Sequence, residues 1–83
     1  MTLTVNDLKR GDKCLIKEVV TEQLPMKLLE LGCLSGNTVE LVEIAPLGDP
    51  LYLIINDTHM AIRREMAQYI EIELFNSDSD EQA

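Results

Sequence analysis

The sequence predicts a mainly β protein: a small barrel or rolled sheet of about five short antiparallel strands, with one helix between the first two. Three observations carry this. Short runs rich in Val, Ile and Leu recur along the chain, separated by Gly, Asn, Asp and Pro. One segment alone changes to helical spacing. And Ala45-Pro46-Leu47-Gly48-Asp49-Pro50 brackets a glycine and an aspartate between two prolines, with strand-like runs on both sides. Each proline fixes φ and lacks an N–H, and Gly48 permits backbone angles that a Cβ would resist. Asp49 can bond its own backbone two residues on. Pro46, Gly48, Asp49 and Pro50 therefore read as a stiff, shaped connection with no nucleophile or base.

Thr4 to Asp12 is an entry segment that ends in a turn at Arg10-Gly11-Asp12, with Asn6 or Asp7 capping one helical turn around Leu8. Lys13 to Val20 is the first strand. Its alternation is imperfect: Cys14, Ile16 and Val20 share one parity, Leu15 and Val19 the other. A bulge, or burial on both faces, accounts for that. In Thr21 to Leu31 the residues Leu24, Leu28 and Leu31 fall at i, i+4 and i+7. Thr21 is the expected cap, Pro25 fits the first turn, and Gly32 is placed to end the helix, which spans about three turns.

Ser35-Gly36-Asn37 is a turn, and Thr38 to Ile44 the second strand, with Val39 and Leu41 on one face. Leu51 to Ile55 is an unbroken apolar run, as a central strand would be. Asn56-Asp57 is a two-residue hairpin signal that returns the chain as Thr58 to Ile62. Arg63 to Gln68 reads as a helical turn. Tyr69 to Leu74 alternates cleanly, Ile70, Ile72 and Leu74 inward, Glu71 and Glu73 outward. Residues 1–75 are read as one domain. Residues 76–83 are polar and acidic and read as a disordered tail.

The 83 residues suffice for one domain with a thin core. Seven basic against fifteen acidic residues give a net charge of −8, three units of it in the tail. That charge does not suit a phosphate backbone or an anionic membrane surface, so no nucleic-acid partner and no membrane insertion are expected. No signal-peptide pattern and no run of 18 apolar residues is present. Cys14 and Cys33 form no C-x-x-C pair and are expected as free, buried thiols of a cytoplasmic protein.

The glycines match neither G-x-G-x-x-G nor the Walker pattern, and read as turns. His59 is the only histidine, and no local spacing supplies it with co-ligands, so it reads as a surface residue and no metal or cofactor is expected. No nucleophile–base arrangement supports an enzyme. The helix offers Met26 and Lys27, with Leu29 either completing the core or joining them at the surface.

Four tracts in register resemble the FeoA family of small ferrous iron transport proteins. They are Asp7-Leu8-Lys9-Arg10-Gly11, the helix end Leu28 to Gly36, Ala45 to Pro50, and Glu65 to Ile72. The resemblance covers roughly residues 4–74. Asn56-Asp57 departs from it where the family often has Gly, and Met66 stands beside the usual Ala67. The resemblance implies an SH3-like barrel and a non-enzymatic accessory role, docked on the cytoplasmic part of the FeoB-type membrane Fe²⁺ transporter. Met26, Lys27 and Leu29 are the expected contact residues. The alternative it implies is a stand-alone regulatory module, related to the C-terminal domain of DtxR-like metal-dependent repressors. Exposed strand edges leave room for a weak homo-oligomer.

Overall fold

The computed structural model describes residues 2–74; the tail expected at 76–83 lies outside the described residues. Five strands form one antiparallel sheet: β1 (Lys13–Val19), β2 (Thr38–Ile44), β3 (Leu51–Ile55), β4 (Thr58–Ile62) and β5 (Ile70–Leu74), in the order β4-β3-β2-β1-β5. Two short helices, α1 (Met26–Glu30) and α2 (Arg64–Ala67), and two 3-10 turns, Val5–Asp7 and Thr21–Gln23, complete it. Inward residues of all five strands join one core cluster that includes Cys14, Ile16, Val39, Leu41, Leu53, Ile62 and Ile72. The sheet therefore rolls around its core. It is not a closed barrel, because β4 and β5 at its two ends do not pair.

Bulges do the rolling. The β1–β5 register shifts between Ile16 and Glu18, and the β2–β3 register between Leu41 and Glu43. An extra residue bends a strand and sharpens its twist. The uneven alternation of β1 is thus a bulge, and Val20 falls outside the strand and is exposed. β3 is internal, yet it alternates: Leu51, Leu53 and Ile55 are buried while Tyr52 is exposed. Leu74, paired with Cys14 at the end of β5, is 48% exposed rather than inward.

The expected three-turn helix is broken in two. Pro25 drives the preceding residue out of the helical region, and Leu24 is extended at φ −109°, ψ 144°. The chain makes a 3-10 turn over Thr21–Gln23, buries Leu24, and restarts at Pro25 as the cap of the five-residue α1. That break changes the apolar face: Leu28 and Leu29 pack on the core, where Leu28 and Leu31 were expected. The first turn also has a different cap. Thr4, not Asn6 or Asp7, accepts from the Asn6 N–H, and the Asp7 carboxylate accepts from the Thr4 N–H at 2.8 Å, a capping box.

Gly32 ends α1 as expected. Its φ is +110°, its N–H donates to the Leu29 carbonyl, and the Cys33 N–H donates to the Leu28 carbonyl. Those two bonds form a Schellman motif, with Cys33 buried beyond it. A Cβ at Gly32 would meet the Asn56 side chain at 2.8 Å, whereas Gly36, also at positive φ, has open space around it. Gly36→Ala should therefore cost about 1 kcal/mol for backbone strain alone. Gly32→Ala should cost about 2–3 kcal/mol, since strain and overlap combine. Urea unfolding of the two variants checks the gap, and equal costs would show that the Asn56 contact yields freely.

Candidate functional site: exposed apolar surfaces on a rigid loop and a short helix

The Ala45–Pro50 loop is held by two of its own backbone bonds and by bonds to Arg64. Its Gly48 N–H donates to the Ala45 carbonyl at 2.7 Å, with Gly48 at φ +91°, and the Asp49–Pro50 peptide is cis. The Ala45 N–H donates to the Pro50 carbonyl at 3.1 Å and closes the loop. Asp49 does not bond its own backbone as expected. Its Oδ1 accepts the Arg64 N–H at 2.9 Å, satisfying an open donor in the first turn of α2.

Arg64 is the fastener. Its Nε donates to the Gly48 carbonyl at 2.6 Å, and its Nη1 reaches the Asn6 carbonyl and Oδ1, both at 3.4 Å. Asn6 returns a bond from Nδ2 to the Arg64 carbonyl at 3.1 Å. One side chain thus ties the N-terminal turn, the loop and α2. The planar fork makes this possible, because it presents several donors in fixed directions. Sequence reading missed Arg64 entirely; nothing in its local spacing marks it.

The clamped loop presents Leu47, which is 96% exposed, beside exposed Pro46. Isolated surface leucines are ordinary. A leucine at the tip of a loop held by four hydrogen bonds is a preordered apolar anchor, which loses little conformational freedom when it is buried. On α1, Met26 is 68% exposed and Lys27 is exposed, while Leu29 is half-buried against the core. The helix thus presents Met26 and Lys27 outward and ties Leu29 inward.

A third apolar surface lies over β2, β3 and β4. The β2 bulge opposes Val42 and Glu43 to Tyr52 and leaves Val42 at the surface. Val42, Tyr52, Leu53, His59 and Met60 line a shallow groove of about 250 Å³. His59 is exposed there. Among the described residues no group of three or more His, Cys, Asp or Glu is placed to hold a metal ion. No described helix is long and apolar enough to cross a membrane. Cys14 and Cys33 are free and buried. Burial pushes both thiols up to about 11, with the Asp12 charge adding to the rise at Cys14.

A rolled five-stranded antiparallel sheet with a short helix between its first two strands, and apolar residues held at its surface, define a small SH3-like β module. Residues 3–74 match the FeoA domain family, and the chain belongs to that family. A relative from Porphyromonas gingivalis, a fusion of Fe(2+) transport protein A with the Fe(2+) transporter FeoB, is 37% identical over 78 residues. The match takes in 93% of this chain and only 9% of that protein. The FeoA protein from Chlorobium tepidum superimposes with a TM-score of 0.80 at 26% identity, covering 92% of this chain and 73% of that one. The zinc-complexed FeoA of Stenotrophomonas maltophilia, described as a procaryotic SH3 domain protein, does so with a TM-score of 0.72 at 24% identity, over 86% and 89% of the two chains.

Two outcomes test the site's physical chemistry. Arg64→Ala should cost about 1–3 kcal/mol, because it removes the donor to the part-buried Gly48 carbonyl and to the Asn6 carbonyl and Oδ1, while the Asn6 Nδ2 bond to the residue 64 carbonyl remains. Arg64→Lys should not restore it, since an ammonium lacks the fork. Thermal melts read both. The thiols set a pH dependence: each holds its proton more tightly folded than unfolded. Their contribution is whole below pH 9 and is lost as pH rises towards about 11. Urea midpoints that stay flat from pH 9 to 11 would contradict this.

Proposed function

We propose that this chain is a non-enzymatic, cytoplasmic accessory of ferrous iron uptake that docks on the cytoplasmic part of a FeoB-type transporter. The observation that carries the reading is the Porphyromonas gingivalis relative, in which a segment 37% identical to this chain shares one polypeptide with the transporter. Covalent joining raises effective concentration to the millimolar range, so a fused module needs little affinity of its own. A module on a chain of its own would have to supply that affinity from its contact surface. Preordered apolar anchors are suited to this, because burying one large aliphatic side chain is worth about 1.5–3 kcal/mol.

Met26 and Lys27 form the first contact surface, with Leu29 holding the helix to the core beneath them. Leu47 is the second anchor. Lys27 is a cation on a chain of net charge −8, so it favours a partner surface with carboxylates.

A pull-down with the transporter's cytoplasmic domain, with and without guanine nucleotide, tests the reading. Met26→Asp combined with Lys27→Glu should weaken capture at least about tenfold, as loss of one buried apolar anchor predicts. Leu47→Ser should weaken it by a similar factor. Undiminished capture by both variants would remove these surfaces from consideration. No capture by the unsubstituted chain in either nucleotide state would remove the docking reading itself.

A further inference from the structure

The two ends of the sheet are treated differently. Beyond β5 the N-terminal segment closes the ladder: the Ile72 N–H donates to the Leu3 carbonyl at 2.9 Å, and Thr4 bridges to Glu71. Beyond β4 no described strand follows. The open groups on β4 can be named. Ile55 and Thr58 flank the two-residue turn Asn56-Asp57, whose φ angles of 53° and 65° are those of a type I′ hairpin. Thr58, Met60 and Ile62 therefore exchange hydrogen bonds with β3. The Asn56 N–H to Thr38 carbonyl bond at 3.1 Å fits the same parity, since it puts the even residues of β3 on the β2 side. On β4 the N–H and carbonyl of His59 and Ala61 point away from the sheet.

This edge lacks the usual protections. Thr58–Ile62 has no Pro and no Lys, and its pairing with β3 runs through five residue pairs with no bulge. The groove beside it, lined by Val42, Tyr52, Leu53, His59 and Met60, contains no carboxylate, although the chain carries fifteen.

We propose that β4 is a docking edge for a second copy of this chain, paired antiparallel about a two-fold axis at Met60. In that register His59 of each copy lies opposite Ala61 of the other, and the four open backbone groups of each strand are satisfied by four hydrogen bonds across the axis. Asp57, in the hairpin turn, and Arg63, just past the strand, lie equally far from Met60 on either side, so the turn carrying Asp57 of each copy lies at the Arg63 end of the other. Neither is in an ion pair among the described residues. That charge complementarity selects the occupant. A foreign strand would need the same pattern reversed, whereas this strand supplies it to itself. A slip by one pair moves both charges off their partners, so the charges also set the register. The contact is small, and net charge −8 opposes it, so half-dimerisation is expected on the order of 0.5 mM at physiological salt.

Sedimentation of the full chain across a concentration series, with amide exchange read residue by residue, tests the proposal. The expected result is a dimer in which the His59 and Ala61 amides gain protection with concentration. Ala61→Pro removes an outward N–H at an edge position where proline is tolerated, and Ala61→Lys adds the charge that edge strands use against pairing. Each should weaken the dimer at least about tenfold, a loss of about 1.4 kcal/mol. Asp57→Asn, which suits a positive φ, should weaken it about threefold. A chain that stays monomeric at about 2 mM overturns the proposal, as does a dimer indifferent to Ala61→Lys. Protection of His59 and Ala61 by the transporter domain, with the chain itself monomeric, would assign the edge to another partner and equally overturn it.

Discussion

The fold depends on what the Arg64 side chain holds together. A five-stranded sheet that rolls without closing leaves three peripheral pieces with little sheet of their own: the turn after Thr4, the proline-bracketed loop and the α2 turn. Each is too short to persist alone, because a single helical turn or tight loop gains too few hydrogen bonds to offset its ordering entropy. Arg64 joins them through bonds to Gly48 and Asn6, while its own main chain is capped by Asp49 and bonded by Asn6. Residues 58 positions apart in sequence meet there. The loop consequently owes two of its four hydrogen bonds to a residue outside it.

The strands are shaped by a second constraint, the shortage of large side chains. With three aromatics and no Trp, the core is filled by branched aliphatic residues. With no second sheet to cover its apolar face, the sheet buries that face by curling over it. The bulges at Lys17 and Val42 supply the curvature. Each has a surface effect as well: one places Lys17 within 3.9 Å of Glu71, the other brings Val42 beside Tyr52.

Much of this was legible in the residues. The strands, the Asn56-Asp57 hairpin and the Gly32 helix end follow from local chemistry: parity, positive φ and the stop of an apolar stripe. What was not legible depends on contacts between distant segments, or on one local preference beating another. Pro25 was compatible with a first helical turn, yet its effect on Leu24 won and split the helix. Leu31 fitted the stripe of an unbroken helix and lost its place to Leu29 when the helix restarted. Asp49 had a local acceptor role open to it, and Arg64 offered a donor that no sequence window could reveal. Leu47 was passed over because the loop around it read as scaffold; its position between two prolines was the available signal.

The buried thiols have a consequence for oxidative chemistry. Peroxide and disulfides react with thiolates, and a cysteine kept protonated at neutral pH and walled in by Ile, Val and Leu offers neither charge nor access. Cys14 and Cys33 are thus chemically silent. Among the described residues the sulfur most open to oxidants is the thioether of Met26 on α1. Its conversion to a sulfoxide would turn the apolar tip of that helix polar while leaving the interior untouched.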